Sequence, residues 1–174
     1  MLESLLLNLG KYGPILLLLS SIFLLRNTTN FLVYYAFGFF LNEILVLVLK
    51  GIFKQPRPSE DLKLFNLAVK NNQMFRYVNG YPHNIFGMPS GHSSSMLYSS
   101  MFVYLVLKNI NILFVYLLLS INTMTQRVIS KNHSISQVFA GAFVGILLGY
   151  FIFYMVQQKI MGSLLLKKDD NGPM

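Results

Sequence analysis

Three short stretches carry residue types suited to anion chemistry. The first is Lys50-Gly51-Ile52-Phe53-Lys54-Gln55-Pro56-Arg57-Pro58, the second Pro89-Ser90-Gly91-His92, and the third Gln126–Gln137, which holds Arg127 and His133. A guanidinium forks two phosphate oxygens and an imidazole can act as base, acid or nucleophile, so Arg127 with His133 points to phosphate chemistry. Ser90-Gly91-His92 reads as the start of a helix. Its free N–H groups and positive dipole end form an anion cradle, and Gly91 lets an anion approach the backbone closely. Lys50 can snorkel from a helix end, and Arg57, between Pro56 and Pro58, is held extended with its fork pre-aimed. Each stretch also has a plainer reading. Lys50, Lys54 and Arg57 would serve as charges anchoring a span, and Ser90 as an ordinary helix cap before an interfacial histidine.

The elements that must position these residues are membrane helices. The chain has 174 residues, 54% hydrophobic and only 11% charged, against about 25% charged in soluble domains. That makes it an integral membrane protein of one domain, residues 1–174, with an all-α bundle of about five transmembrane helices and a motif-bearing core over 42–137. The expected spans are roughly Gly13–Leu25, Phe31–Phe53, Pro89–Leu107, Ile110–Met124 and Ile135–Val156. Met1–Lys11 reads as a short interfacial helix or as the first turns of the first span. Leu62–Val69 reads as a short interfacial helix within the irregular stretch Lys54–Met88. Gly141, Gly145 and Gly149 form a small-residue stripe for close helix packing. Residues 157–174 read as a polar tail, disordered past Lys167. Threading these spans brings all three chemical stretches to one membrane face.

Other ionisable residues divide. Glu43 lies two turns before Lys50 on the same helix face and needs a partner, either Lys50, Arg127 or a polar substrate group, or an interhelical ion pair of structural value only. His83 reads as incidental, and Glu60 and Asp61 as solvated loop charges. The formal net charge of +8 with three His, six acidic residues and no Cys favours anionic lipid or an anionic substrate over nucleic acid. It offers no disulfide framework and no multi-ligand metal cage.

Together the three stretches resemble the signature motifs of the type 2 phosphatidic-acid phosphatase superfamily: Lys, six residues, Arg-Pro; Pro-Ser-Gly-His; and Arg, five residues, His. The resemblance implies that His133 attacks phosphorus and forms a phosphohistidine, and that His92 protonates the leaving oxygen and later activates water. It implies that Lys50, Arg57, Ser90, Gly91 and Arg127 bind the phosphate, with no metal and no cofactor. The superfamily usually has Asp four residues after the nucleophile, where it orients the imidazole. Here that position is Gln137, whose amide oxygen can accept from Nδ1–H but cannot offset positive charge. His133-Ser134-Ile135-Ser136-Gln137-Val138, Leu41-Asn42-Glu43 and Gly87-Met88-Pro89-Ser90 resemble the dolichyl-diphosphatase branch, which also carries Gln there.

The expected function is therefore hydrolysis of a polyisoprenyl diphosphate to the monophosphate. The alternatives are a phosphatidate or other glycerolipid phosphatase, and a non-catalytic phospholipid-binding protein of the same shape. The resemblance implies an endoplasmic-reticulum membrane in a eukaryote or a virus infecting one, a plasma membrane otherwise, and a lumenal or extracytoplasmic site. Basic residues do not decide orientation. Lys11, Lys54, Lys63, Lys70 and Arg76 on the site face balance Arg26, Lys108, Lys159, Lys167 and Lys168 opposite.

Overall fold

A computed structural model describes residues 2–78 and 80–169. Six helices run in chain order, α1 (Leu2–Leu25), α2 (Thr29–Phe53), α3 (Leu62–Lys70), α4 (Gly91–Leu107), α5 (Ile110–Ile129) and α6 (Ile135–Asp169), with strands β1 (Phe75–Val78) and β2 (Tyr81–Asn84) between α3 and α4. The chain is an all-α membrane bundle carrying one small hairpin. Four helices are long and apolar enough to cross a bilayer, over Ser4–Leu25, Thr29–Phe53, Ile110–Ile129 and Ile135–Ser163.

The fifth helix of the bundle, α4, is the shortest of these at 17 residues and sits among the others, packed on α1, α2, α5 and α6. Its serines Ser93, Ser94, Ser95, Ser99 and Ser100 are buried. Without water, each hydroxyl needs a protein partner. Ser94 donates to Asn42 at 2.6 Å, Ser99 pairs with the Tyr35 hydroxyl at 2.8 Å, and Ser100 donates to the Met96 carbonyl at 2.8 Å. Small side chains on α4 meet the glycine stripe of α6. A Cβ at Gly141 or Gly145 would overlap the carbonyls of Ser90 or Ser94, and one at Gly149 would lie 3.0 Å from the Tyr98 carbonyl oxygen. The stripe therefore sets how near α6 lies to the start of α4.

Several boundaries differ from those read in the sequence. The N-terminal residues form no separate interfacial helix; from Leu2 they continue into α1 without a break, as the first turns of the span. The fourth span runs on to Ile129, so Arg127 lies in its last turn. The stretch from Gln157 continues α6 to Asp169, so Lys168 and Asp169 are helical where disorder was expected, and residues 170–174 lie outside the described ones. Asp61 is the cap of α3, accepting from Lys63 N at 2.8 Å and Leu64 N at 3.0 Å. Asp61 is exposed, as expected of a solvated charge, but Glu60 is not. Its side chain is 3% exposed and pairs with Arg76 at 3.2 Å, the one ion pair among the described residues.

The hairpin was not anticipated. Phe75↔Asn84 and Val78↔Tyr81 pair across a turn containing Gly80 at φ +80°. Asn79-Gly80 between aromatic and β-branched residues is a strong hairpin signal in the sequence. Phe65, Ile85 and Phe86 form a small apolar core that seats α3 against the hairpin, separate from the main core around Tyr35, Tyr98 and Phe102.

Candidate active site

Each motif is shaped by its own local turn. Lys54 adopts a left-handed conformation (φ 46°) and caps α2, its N–H bonding the Lys50 carbonyl at 3.0 Å. The chain then runs back past the end of the helix. Pro56 pairs with Phe86 as an isolated bridge, and Gly87 N donates to the Gln55 carbonyl at 2.7 Å. This returns Arg57 towards Lys50 and accounts for the spacing between them. In the third motif, the N–H groups of Asn132 and His133 both donate to the Arg127 carbonyl, at 3.1 and 3.2 Å. The turn wraps onto the end of α5, so a separation of six positions returns His133 to Arg127.

The segment Asn84–Gly87 ties the site together through its main chain. Lys50 Nζ donates to the Phe86 carbonyl at 2.8 Å, Arg57 Nε to the Asn84 carbonyl at 3.0 Å, and the His133 ring bonds the Gly87 carbonyl through Nδ1 at 2.8 Å. A carbonyl oxygen only accepts, so the proton is on Nδ1 and a neutral ring keeps Nε2 as a free lone pair. His133 is 4% exposed. Burial, reinforced by the Arg57 and Lys50 charges, pulls its pKa down to about 3, so the ring is neutral at physiological pH.

A cavity of about 240 Å³ opens at this point. Its wall includes Glu43, Lys50, Arg57, Gly91, His92, Arg127 and His133, so seven of the residues singled out in the sequence meet at one space. Arg127 lines this cavity, and its Nε is buried without a hydrogen-bond partner. Phe75 of the hairpin also contributes to the wall. A second cavity of about 240 Å³ shares Glu43, Gly91 and His92 with the first and continues between Pro14, Ile15 and Leu18 of α1 and Phe39 of α2. A polar chamber thus adjoins a mostly apolar one, with His92 at the junction.

The remaining site residues are Ser90, Gln137 and Glu43. Ser90 is fully buried outside the cavity wall. Its hydroxyl caps α4 by accepting from Ser93 N–H at 3.4 Å and Ser93 O–H at 3.0 Å, so Gly91, not the Ser90 hydroxyl, faces the anion space. Gln137 does not reach the His133 ring as an acceptor. Its Oε1 accepts from Ser134 N at 3.1 Å and its Nε2 donates to the Pro56 carbonyl at 2.9 Å. Glu43 makes no ion pair with Lys50 or Arg127, but accepts from the Ser95 hydroxyl and lines both cavities.

His83, read as incidental, lies half-buried near Arg57, Glu60 and Arg76. Burial, then the neighbouring cations, lowers its pKa. The residues that sequence reasoning missed are Asn84, Phe86 and Gly87, which act through backbone carbonyls. No side-chain type announces such a role.

A profile of the PAP2 superfamily matches residues 31–161. A search of curated proteins finds the dolichyldiphosphatase of Saccharomyces cerevisiae, 36% identical over 131 residues that cover 70% of this chain and 50% of the yeast protein. The chain thus spans about half the length of the curated relative it matches. No solved structure matches.

Proposed function

Because this chain belongs to the PAP2 superfamily, we propose that it is a membrane-embedded lipid phosphatase whose substrate is a polyisoprenyl diphosphate of the dolichyl type, cleaved to the monophosphate. The observation that carries this reading is the His133 ring, with its proton held on Nδ1 by the Gly87 carbonyl and its other nitrogen unprotonated beside a cavity of fixed cations. The dolichyl assignment rests on the similarity to the yeast enzyme and on the apolar cavity beyond His92, which suits an isoprenoid chain.

In the proposed reaction, Nε2 of His133 bonds to the terminal phosphorus while the bond to the bridging oxygen breaks. The electron pair leaves on that oxygen, which takes a proton from His92. Water then attacks the phosphohistidine and passes its proton to His92, and the P–N bond breaks to release inorganic phosphate. Lys50, Arg57, Arg127 and the N–H groups around Gly91 offset charge on the phosphoryl oxygens, the main demand of phosphoryl transfer. These cations supply the charge stabilisation, so the proposed reaction is metal-independent and needs no cofactor. The proposed setting is the endoplasmic-reticulum membrane of a eukaryote or of a cell infected by a eukaryotic virus, otherwise a plasma membrane, with the site lumenal or extracytoplasmic.

The test is phosphate release by purified protein in detergent from dolichyl diphosphate and from phosphatidate, with EDTA present and His133→Ala as the blank. Release from the diphosphate above the blank supports the proposal. Preference for phosphatidate replaces the substrate and keeps the site. No release from folded protein on either substrate moves the phospholipid-binding reading to first place.

A further inference from the structure

We infer that the Gly87 main-chain carbonyl, braced by the Gln137 side chain, positions the His133 ring for attack. The inference rests on His133 being the nucleophile. The two ends of the buried Gln137 amide are taken by Ser134 N–H and the Pro56 carbonyl, while the His133 Nδ1 partner is the Gly87 carbonyl at 2.8 Å. Gln137 instead lies against Gly87, where a Cβ would stand 2.5 Å from its Oε1 and 2.7 Å from its Nε2. Glycine at 87 is thus what admits the amide, and the amide holds two things at once. It backs the segment whose carbonyl orients His133, and it anchors Pro56, the residue before Arg57.

A carboxylate at position 137 could not donate to the Pro56 carbonyl. Amide at 137 and carbonyl at 87 therefore belong to one arrangement, in which a neutral dipole fixes the tautomer and the buried ring stays uncharged. Gln137 is a positioning residue, acting through Gly87 and Pro56.

Protein carrying 15N-labelled histidine tests this directly, since the chain has three histidines and His133→Asn identifies the relevant signals. The expected result is a His133 ring protonated at Nδ1 in the native protein and still so in Gln137→Ala, whose kcat falls only roughly tenfold, as outer-shell losses do. Gly87→Ala drives a methyl group into the amide. It is expected to lose the tautomer preference and about 10³-fold in kcat, approaching the cost of a misplaced tautomer in serine hydrolases, with KM little changed. The double variant Gly87→Ala with Gln137→Ala makes room for the methyl group and recovers the tautomer, with kcat returning to the level of Gln137→Ala alone.

Gln137→Glu is expected to raise KM roughly tenfold, the effect of one lost hydrogen bond at Pro56, without gain in kcat. The inference is overturned if folded Gly87→Ala keeps the proton on Nδ1 and full kcat, or if Gln137→Glu raises kcat as an orienting carboxylate would. Were Gly87→Ala to misfold, the double variant and Gln137→Glu would still decide the matter. Full activity in His133→Asn would overturn the nucleophile reading itself, and the tautomer measurement, which needs no turnover, separates that failure from the other.

Discussion

Arg127 and Lys50 are both cations at helix ends, but the site uses them differently. Lys50 is 7% exposed and already tied to the Phe86 carbonyl, so it brings a point charge held in place by the protein. Arg127 lines the cavity, and in the proposed reaction its guanidinium forks the incoming phosphate. Arg127→Lys retains the charge and loses the fork. Its expected effect is a drop in kcat of about 10²-fold, measured by phosphate release against the native protein; unchanged kcat would show that charge alone suffices.

The acid limb of the pH profile follows from His133. Its pKa, lowered to about 3 by burial and by Arg57 and Lys50, leaves the proposed nucleophile unprotonated as pH falls below the ordinary histidine value. The acid limb of kcat/KM, which reports the free enzyme, is therefore expected below about 6.5 once substrate ionisation is titrated separately. A limb at or above that value that belongs to His133 would mean that the ring is solvated in the working enzyme.

At the scale of elements, the contact between α4 and α6 does two jobs. It fills the bundle, and it joins the start of α4, with Gly91 and His92, to the start of α6, with Gln137, through the bond from Ser90 N to the Gln137 carbonyl at 3.0 Å. Gly145→Ala forces a methyl group onto the Ser94 carbonyl, backbone that cannot swing aside. The expected cost is about 1–3 kcal/mol, read as a lowered thermal midpoint in detergent. Gly162→Ala on the same helix has nothing within 4 Å of its Cβ and is expected to leave the midpoint unchanged or raise it. Equal loss in both variants would shift the explanation from packing to glycine's backbone. The hairpin and α3 are a second, smaller unit, and its consequence for the site is the placement of the Asn84–Gly87 carbonyls.

Taken whole, the molecule has the polarity of a membrane bundle. Phe37, Phe40, Phe143 and Phe151 face outward, while the serines of α4 lie inside with their hydroxyls bonded to neighbours. Outward phenylalanines are stable in lipid, and buried hydroxyls are tolerable only when paired. The protein is expected to stay in the membrane pellet through alkaline carbonate extraction; release into the supernatant would contradict the spanning reading. The polar chamber at one end adjoins a mostly apolar one, an arrangement that suits a substrate with an ionic head and a hydrocarbon tail.

By itself the sequence determined the membrane class, the helices and the convergence of Lys50, Arg57, Gly91, His92, Arg127 and His133. Those properties follow from composition, from apolar runs long enough to span a bilayer, and from charged residues that must find water or each other. The hairpin was also legible, in Asn79-Gly80, though it was not read. Only the tertiary structure decided which group bonds the His133 ring. The family resemblance implied Gln137 as the acceptor and Ser90 as a phosphate ligand. The fold instead spends the Gln137 amide on Pro56 and Ser134, buries the Ser90 hydroxyl as a helix cap, and brings the Gly87 carbonyl to the ring. Every residue has a backbone carbonyl, so residue type cannot reveal which one will point into a site. That depends on a path through a bridge at Pro56, a hairpin and a turn at the end of α5, and so only on three-dimensional structure.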